Sequence, residues 1–186
     1  DRFDGLSAMR LSMARLREIS GLAVTASALM EDAVVVLEML SGRNPIEFGV
    51  RPGTTLDLHA TAHGHIALAF GPRRLLEGMA TRPLKRWTAR TLVDPAALEA
   101  VAALVRHRGW ASAPDQMMPG VGALAAPVFD HTGAWLGTLA VVGPSHAIPA
   151  APPAGLVRQV TDAAAEASRA LGWEGASAGL VRARAQ

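Results

Sequence analysis

The sequence predicts an α+β domain, an antiparallel sheet flanked by helices. Two kinds of observation carry this. Paired apolar, β-capable runs are separated by only a few turn residues, Leu22–Leu29 with Ala33–Leu40 and Val121–Phe129 with Trp135–Val142. Stretches with apolar spacing of three and four lie before, between and after these pairs. Hairpins imply antiparallel pairing, and amphipathic helices need a sheet face to cover. At 186 residues, half of them apolar, the chain is long enough for one domain with a proper core.

Residues 3–19 read as a helix. Leu6, Met9, Met13 and Leu16 form a narrow heptad-like seam, with Arg10, Arg15, Arg17 and Glu18 off it. Gly21 suits the left-handed position past the helix end. The seam fits packing on the domain's own core, and it fits equally a linker helix that meets a partner. In the first hairpin the turn is Met30-Glu31-Asp32. Ser41 to Pro45 is a turn, and Ile46 to Arg51 is expected as a third strand.

Gly53 to Phe70 follows. It turns after Pro52, passes through the small residues Ala60, Thr61, Ala62 and Gly64, and ends in an apolar run stopped by Gly71-Pro72. Small residues at a helix start permit tight packing against a sheet. They also leave backbone N–H groups open to a ligand, where the helix dipole favours an anion. Pro72 to Met79 is a short helix, and Thr81 to Val93 is irregular and polar around Trp87. Asp94-Pro95 is a strong helix start; Leu98, Val101, Leu104 and Val105 then share a face, and Arg106, His107 and Arg108 precede Gly109. Trp110 to Gly120 is a loop or a short strand plus loop. The second hairpin turns at Asp130-His131-Thr132-Gly133 and stops at Gly143-Pro144. Ala147 to Gly155 is a proline-rich surface loop. Leu156 to Leu171 is a last amphipathic helix with Val157, Val160, Ala164 and Ala167 inward.

Composition excludes several functions. There is no cysteine, so disulfides, thiol catalysis and thiolate metal sites are absent. No run reaches the roughly 18 apolar residues of a membrane span, and the expected location is the cytoplasm. The isoelectric point near 10.3 does not mark a nucleic-acid binder. Net charge is only +2, no Tyr or Cys titrates before Lys85, and seventeen scattered Arg residues hold the charge positive. None of the basic spots forms a phosphate-tracking groove. His59, His63 and His65 invite a metal reading, but there is no HExxH and the third is off the face of the first two, so no metal is expected. No G-x-S-x-G occurs, and Ser145-His146 has no triad logic, so no enzyme is expected.

Several separated motifs, in this order, resemble the effector-binding domain of IclR-type bacterial transcriptional regulators. They are Gly53-Thr54-Thr55 leading into His59-Ala60-Thr61-Ala62-His63-Gly64, then Trp87-Thr88-Ala89-Arg90-Thr91, then Val105-Arg106-His107-Arg108-Gly109-Trp110. Gly120-Val121, Ala125-Ala126-Pro127-Val128-Phe129-Asp130, Gly143-Pro144 and Ala170-Leu171-Gly172 complete the set, which runs from about Leu16 to Gly172. The resemblance implies a GAF-like (PAS-like) sheet of about six strands with the effector pocket on one face. It implies residues 1–20 as a linker helix toward a winged helix-turn-helix domain outside this sequence, 21–173 as the effector domain, and 174–186 as a flexible tail. The start at Asp1 fits a segment of a longer protein. It also implies dimers or tetramers, operator DNA bound only through the other domain, a small metabolite as effector, and no cofactor.

Carried over by position, the pocket amides fall on Ala62 and His63, beside Thr61, and a wall position on Phe48. The acidic pocket residue falls near Ala113, with Asp115 just beyond. A frequent cysteine falls on Ala123, beside Leu124, and two frequent serines on Ala140 and Val142. Met117, with Met118, belongs to the pocket loop, and the usual lysine of the glycine-lysine pair is His65. Four positions that bring polar groups in the family are thus apolar, at Ala113, Ala123, Ala140 and Val142. An unmet hydrogen bond costs about 1–3 kcal/mol, so the expected effector is larger or more apolar than a two- or three-carbon acid. Its polar end would rest on the Ala62 and His63 amides or on Asp115. The other reading is a GAF-like signalling or dimerisation module with no small ligand.

Overall fold

The computed structural model describes residues 2–43 and 50–175. Helix α1 (Arg2–Ser20) leads into strands β1 (Ala23–Met30) and β2 (Ala33–Leu40), then a two-residue strand β3 (Thr55–Leu56). Helices α2 (Ala62–Phe70), α3 (Arg73–Gly78) and α4 (Pro95–Arg108) follow. After them come β4 (Ala111–Ser112), β5 (Val121–Phe129), β6 (Trp135–Pro144) and α5 (Ala154–Ala170).

One antiparallel sheet of six strands has the order β3-β2-β1-β6-β5-β4. The two hairpins are its halves, joined where Thr25 pairs with Ala140 and Ser27 with Thr138. The expected third strand at 46–51 falls mostly outside the described residues, and Val50 and Arg51 are not in a strand. The edge beside β2 is instead taken by Thr55 and Leu56, through Val34 and Val35. The tail beyond Gly175 also lies outside the described residues.

Alternation along the strands divides the core. Val24 and Ala26, Leu124, Ala126 and Val128, and Leu139 and Val141 face α1 and α5. The seam of α1 closes on this face: Met9, Met13 and Leu16 are buried against Val160, Ala164 and Ala167 of α5, and Arg15 pairs with Glu166. That seam therefore packs on the domain's own core, while Leu11 and Ile19 remain exposed, at 58% each. The opposite face, with Ala125 and Ala140, lies under α2 and the end of α4. Small strand side chains there let α2, all but its last residue buried, sit close to the sheet.

Helix α4 is stopped at both ends by its own sequence. The Asp94 carboxylate accepts from Ala96 N–H at 3.3 Å, Pro95 follows at the first helical position, and Gly109 takes φ +81° with its N–H on Val105 O. Asp94→Ala is expected to cost about 1 kcal/mol, read as a lower urea midpoint with unchanged slope. Among the described residues no helix is long and apolar enough to cross a membrane.

Candidate functional site

Helix α2 begins at Ala62, after the small residues Ala60 and Thr61. Thr61, in extended conformation, is its N-cap, and the Thr61 hydroxyl accepts from Gly64 N–H at 2.9 Å while donating to Asp57 O at 2.8 Å. This satisfies the third amide of the helix. The first two, on Ala62 and His63, precede any intrahelical acceptor, and no acceptor among the described residues takes them. Both residues line a cavity of about 100 Å³.

Its lining combines five parts of the chain. Ala60, Thr61, Ala62 and His63 come from the start of α2, and Thr25 from β1. Val121, Gly122, Ala123 and Val142 come from the β5–β6 hairpin, and Ala113, Met117 and Met118 from the loop between β4 and β5. Val50 and Leu56 close the remaining side. The lining is mostly apolar, and its polar side chains are those of Thr25, Thr61 and His63.

The structure brings Thr61, Ala62, His63, Ala113, Met117, Ala123 and Val142 together around this cavity. Ala140 sits on the same face but deeper, buried with Ala62 and Ile66. Leu124 is not at the cavity. It is fully buried on the other face of the sheet with the α1 and α5 residues, because strand neighbours point to opposite sides. Asp115 does not line the cavity either. It adopts φ +58°, its carboxylate accepts from Gly120 N–H at 2.7 Å, and its N–H donates to Val121 O. It shapes the loop that carries Met117. Phe48 lies outside the described residues.

That loop is tied down from outside. The Thr88 hydroxyl donates to Asp115 O and the Thr91 hydroxyl to Gln116 O, each at 2.6 Å. Thr91 in turn accepts from the Trp87 and Thr88 amides. The Trp87 indole N–H donates to the Asp57 carboxylate at 2.7 Å. The polar stretch 81–93 thus works as a clamp on the cavity wall.

The three histidines are spent separately. His59 Nε2–H donates to Lys85 O at 2.8 Å, and His65 Nε2–H to His59 O at 3.0 Å. His63 lies between helix and sheet, with Nε2 2.7 Å from Thr25 Oγ1 and Nδ1 2.6 Å from Ser27 Oγ. Burial lowers the pKa of both His63 and His65 to about 4. For His65 the bond to the His59 carbonyl raises it somewhat, and nearby His59 and Arg108 lower it. No cluster of three potential metal ligands occurs among the described residues. Thr25 and Ser27 were missed in the sequence, although hydroxyls at alternate positions of an apolar strand are a visible signal.

Compared with known proteins, residues 1–169 match the family described as Bacterial transcriptional regulator IclR C-terminal. The chain belongs to this IclR family. It is therefore the C-terminal, effector-binding domain of a transcriptional regulator. It is 36% identical over 162 residues to the glycerol operon regulatory protein of Streptomyces griseus, covering 84% of this chain and 62% of that protein. It is 33% identical to the HTH-type transcriptional regulator BhcR of Paracoccus denitrificans (strain Pd 1222), covering 86% and 56%. The chain thus spans about three fifths of the length of these curated relatives. They are named as regulators, not enzymes.

Solved IclR structures have the same fold. The C-terminal domain of E. coli KdgR gives a TM-score of 0.78 at 25% identity, over 91% of this chain and 99% of that one. An IclR homolog from Microbacterium hydrocarbonoxydans, complexed with 4-hydroxybenzoate, gives 0.83 at 22% identity, over 91% and 69%. At that identity the likeness concerns the fold.

Proposed function

We propose that the cavity at the start of α2 is the effector site, and that its effector is a compact, mainly apolar molecule with one polar end. The observation that carries this is that Ala62 and His63, whose helix-start amides have no acceptor among the described residues, line the same cavity as the apolar Ala113, Ala123 and Val142. The amides of Ala62 and His63 offer donors where the helix dipole favours negative charge. Ala113, Ala123 and Val142 offer none. A small keto acid carries a keto or aldehyde oxygen beside its carboxylate, and those side chains have no donor for it. A ring bearing one polar group leaves only carbon there. A space of about 100 Å³ holds several waters at ~10–15 Å³ each, which sets the ligand near the size of one ring. Three larger grooves, at the α1 end of the sheet, beside Phe129 and Trp173, and between α1 and α5, are not lined by the start of α2.

In the longer regulator this domain would report effector binding to a DNA-binding part outside the sequence. Residues 1–20 would carry the signal as a linker helix, with exposed Leu11 and Ile19 on the side open to another copy or domain. The regulator would act in the cytoplasm as a dimer or tetramer.

A thermal-shift screen tests the pocket reading. Benzoate, 4-hydroxybenzoate, phenol and toluene are set against glyoxylate and pyruvate. A ligand at 100 times its Kd adds about 2.7 kcal/mol, a rise of roughly 5–10 °C for a domain of this size. Hits among the ring compounds, abolished by Ala123→Trp, are expected. Hits confined to the two- and three-carbon acids would refute the apolar effector, and no hits would favour an interaction module with no small ligand. Val142→Ser should weaken the ring compounds by about threefold to tenfold by placing a hydroxyl against carbon, measured by calorimetry.

A further inference from the structure

We infer that Thr25 reads the polar group of the bound molecule, and that the Ser27–His63–Thr25 chain lets it do so as either hydrogen-bond donor or acceptor. This rests on the cavity being the effector site. Its own support is the geometry of three side chains, all buried. The His63 ring stands between two hydroxyls, one 2.7 Å from Nε2 and one 2.6 Å from Nδ1. Thr25 and His63 line the cavity; Ser27, fully buried, does not.

A neutral imidazole has one N–H donor and one acceptor nitrogen, and a hydroxyl has one donor and two acceptor sites. Two arrangements satisfy both contacts. In the first, Nε2–H donates to Thr25 Oγ1 and the Ser27 hydroxyl donates to Nδ1. The Thr25 O–H is then free to donate into the cavity. In the second, Nδ1–H donates to Ser27 Oγ and the Thr25 O–H donates to Nε2. Thr25 then offers only a lone pair to the cavity. The two states hold the same protons. They differ in which ring nitrogen carries its hydrogen and in the rotation of two hydroxyls.

A ligand acceptor needs the first state; a ligand donor could use a Thr25 lone pair in either, but in the first it leaves the buried Thr25 O–H without an acceptor, so it favours the second. A carboxylate can place one oxygen on the α2 amides and the other on Thr25. An amine or hydroxyl can donate to Thr25 instead. The chemical class is therefore a one-ring apolar molecule with a single hydrogen-bonding head of either sense. A fixed donor such as lysine at this place would admit only acceptors.

The test uses toluene, benzoate and aniline, three ligands of one shape with no head, an acceptor head and a donor head. Binding to the chain and to Thr25→Val and Thr25→Ser is measured by calorimetry. Thr25→Val should leave toluene within about twofold and weaken benzoate and aniline about tenfold, the effect of one lost hydrogen bond. Thr25→Ser should retain both. Side-chain nitrogen NMR of His63 in the unmodified chain should show hydrogen on Nε2 with benzoate and on Nδ1 with aniline. This second readout stands even if Thr25→Val does not fold. Equal losses for all three ligands, no loss for either headed ligand, or one tautomer throughout would overturn the inference. If the unmodified chain binds none of the three, the cavity reading fails and this inference with it; binding indifferent to Thr25 defeats the inference alone.

Discussion

Acidification from pH 7 to pH 4 is expected to remove much of this domain's stability. The cause is two imidazoles buried neutral. The folded-state pKa of His63 and His65 is about 4, against 6.5 when exposed. Between those values the unfolded chain binds more protons than the folded one, so stability rises with pH and falls on acidification. The loss begins as pH drops through 6.5 and is complete below 4. Each shift is worth on the order of 3 kcal/mol, and both together approach the roughly 5–15 kcal/mol that holds a domain folded. Desolvation drives the effect: in a protonated His63 both N–H groups still find the Thr25 and Ser27 oxygens, but the charge is out of water. Asp130, held below its ordinary 3.8 by the Thr132 hydroxyl, titrates beneath this window. Urea midpoints from pH 8 to pH 4 measure this. A curve level above pH 7 and falling steeply below 6.5 is expected, and His65→Gln should flatten part of it. A midpoint constant down to pH 5 would show that these rings are not buried neutral.

Gly64→Ala should destabilise the domain by about 3 kcal/mol or more, at or beyond the upper end for overpacking. An added Cβ would stand 2.5 Å from Asp57 O, Leu58 Cα and Leu58 O. All three are backbone atoms, so no side chain can swing aside. The approach segment crosses α2 here because residue 64 has no side chain, and the same crossing sets the Thr61 cap and the two free amides. On an exposed helix the substitution would gain up to about 1 kcal/mol, so the sign separates the explanations. At 2–4 °C per kcal/mol for a domain this size, the expected fall in Tm is roughly 6–12 °C. An unchanged or higher Tm would mean the crossing is looser than described.

Most of the fold was legible because its elements end on local chemistry. Asp94-Pro95 and Gly109 bound α4, and Asp130 to Gly133 turn the second hairpin. The heptad seam of α1 placed Met9, Met13 and Leu16, although its spacing alone could not say which surface they meet. Legibility failed where burial is two-sided. The run Val121–Phe129 is apolar on both faces, since helices cover both, so nothing in it separates Ala123, at the cavity, from Leu124, behind the sheet. The strand β3 has two residues and is defined by its partner β2, a long-range fact. Asp115 looked like a pocket acid by position, but its left-handed backbone turns the carboxylate onto Gly120 N–H. His63 looked like a helix-start amide, and its ring proved as informative as its amide, because Thr25 and Ser27 lie under it across 38 and 36 residues of sequence.

The central claim is the location of the effector site, and methyl NMR with benzoate or toluene tests it most directly. The methyl groups of Ala62, Ala113, Ala123 and Val142 should shift together on titration, while Leu124 and Val128, behind the sheet, should stay. Shifts centred on Leu6, Leu29 and Leu136, in the groove at the α1 end, would move the site away from α2 and contradict the account.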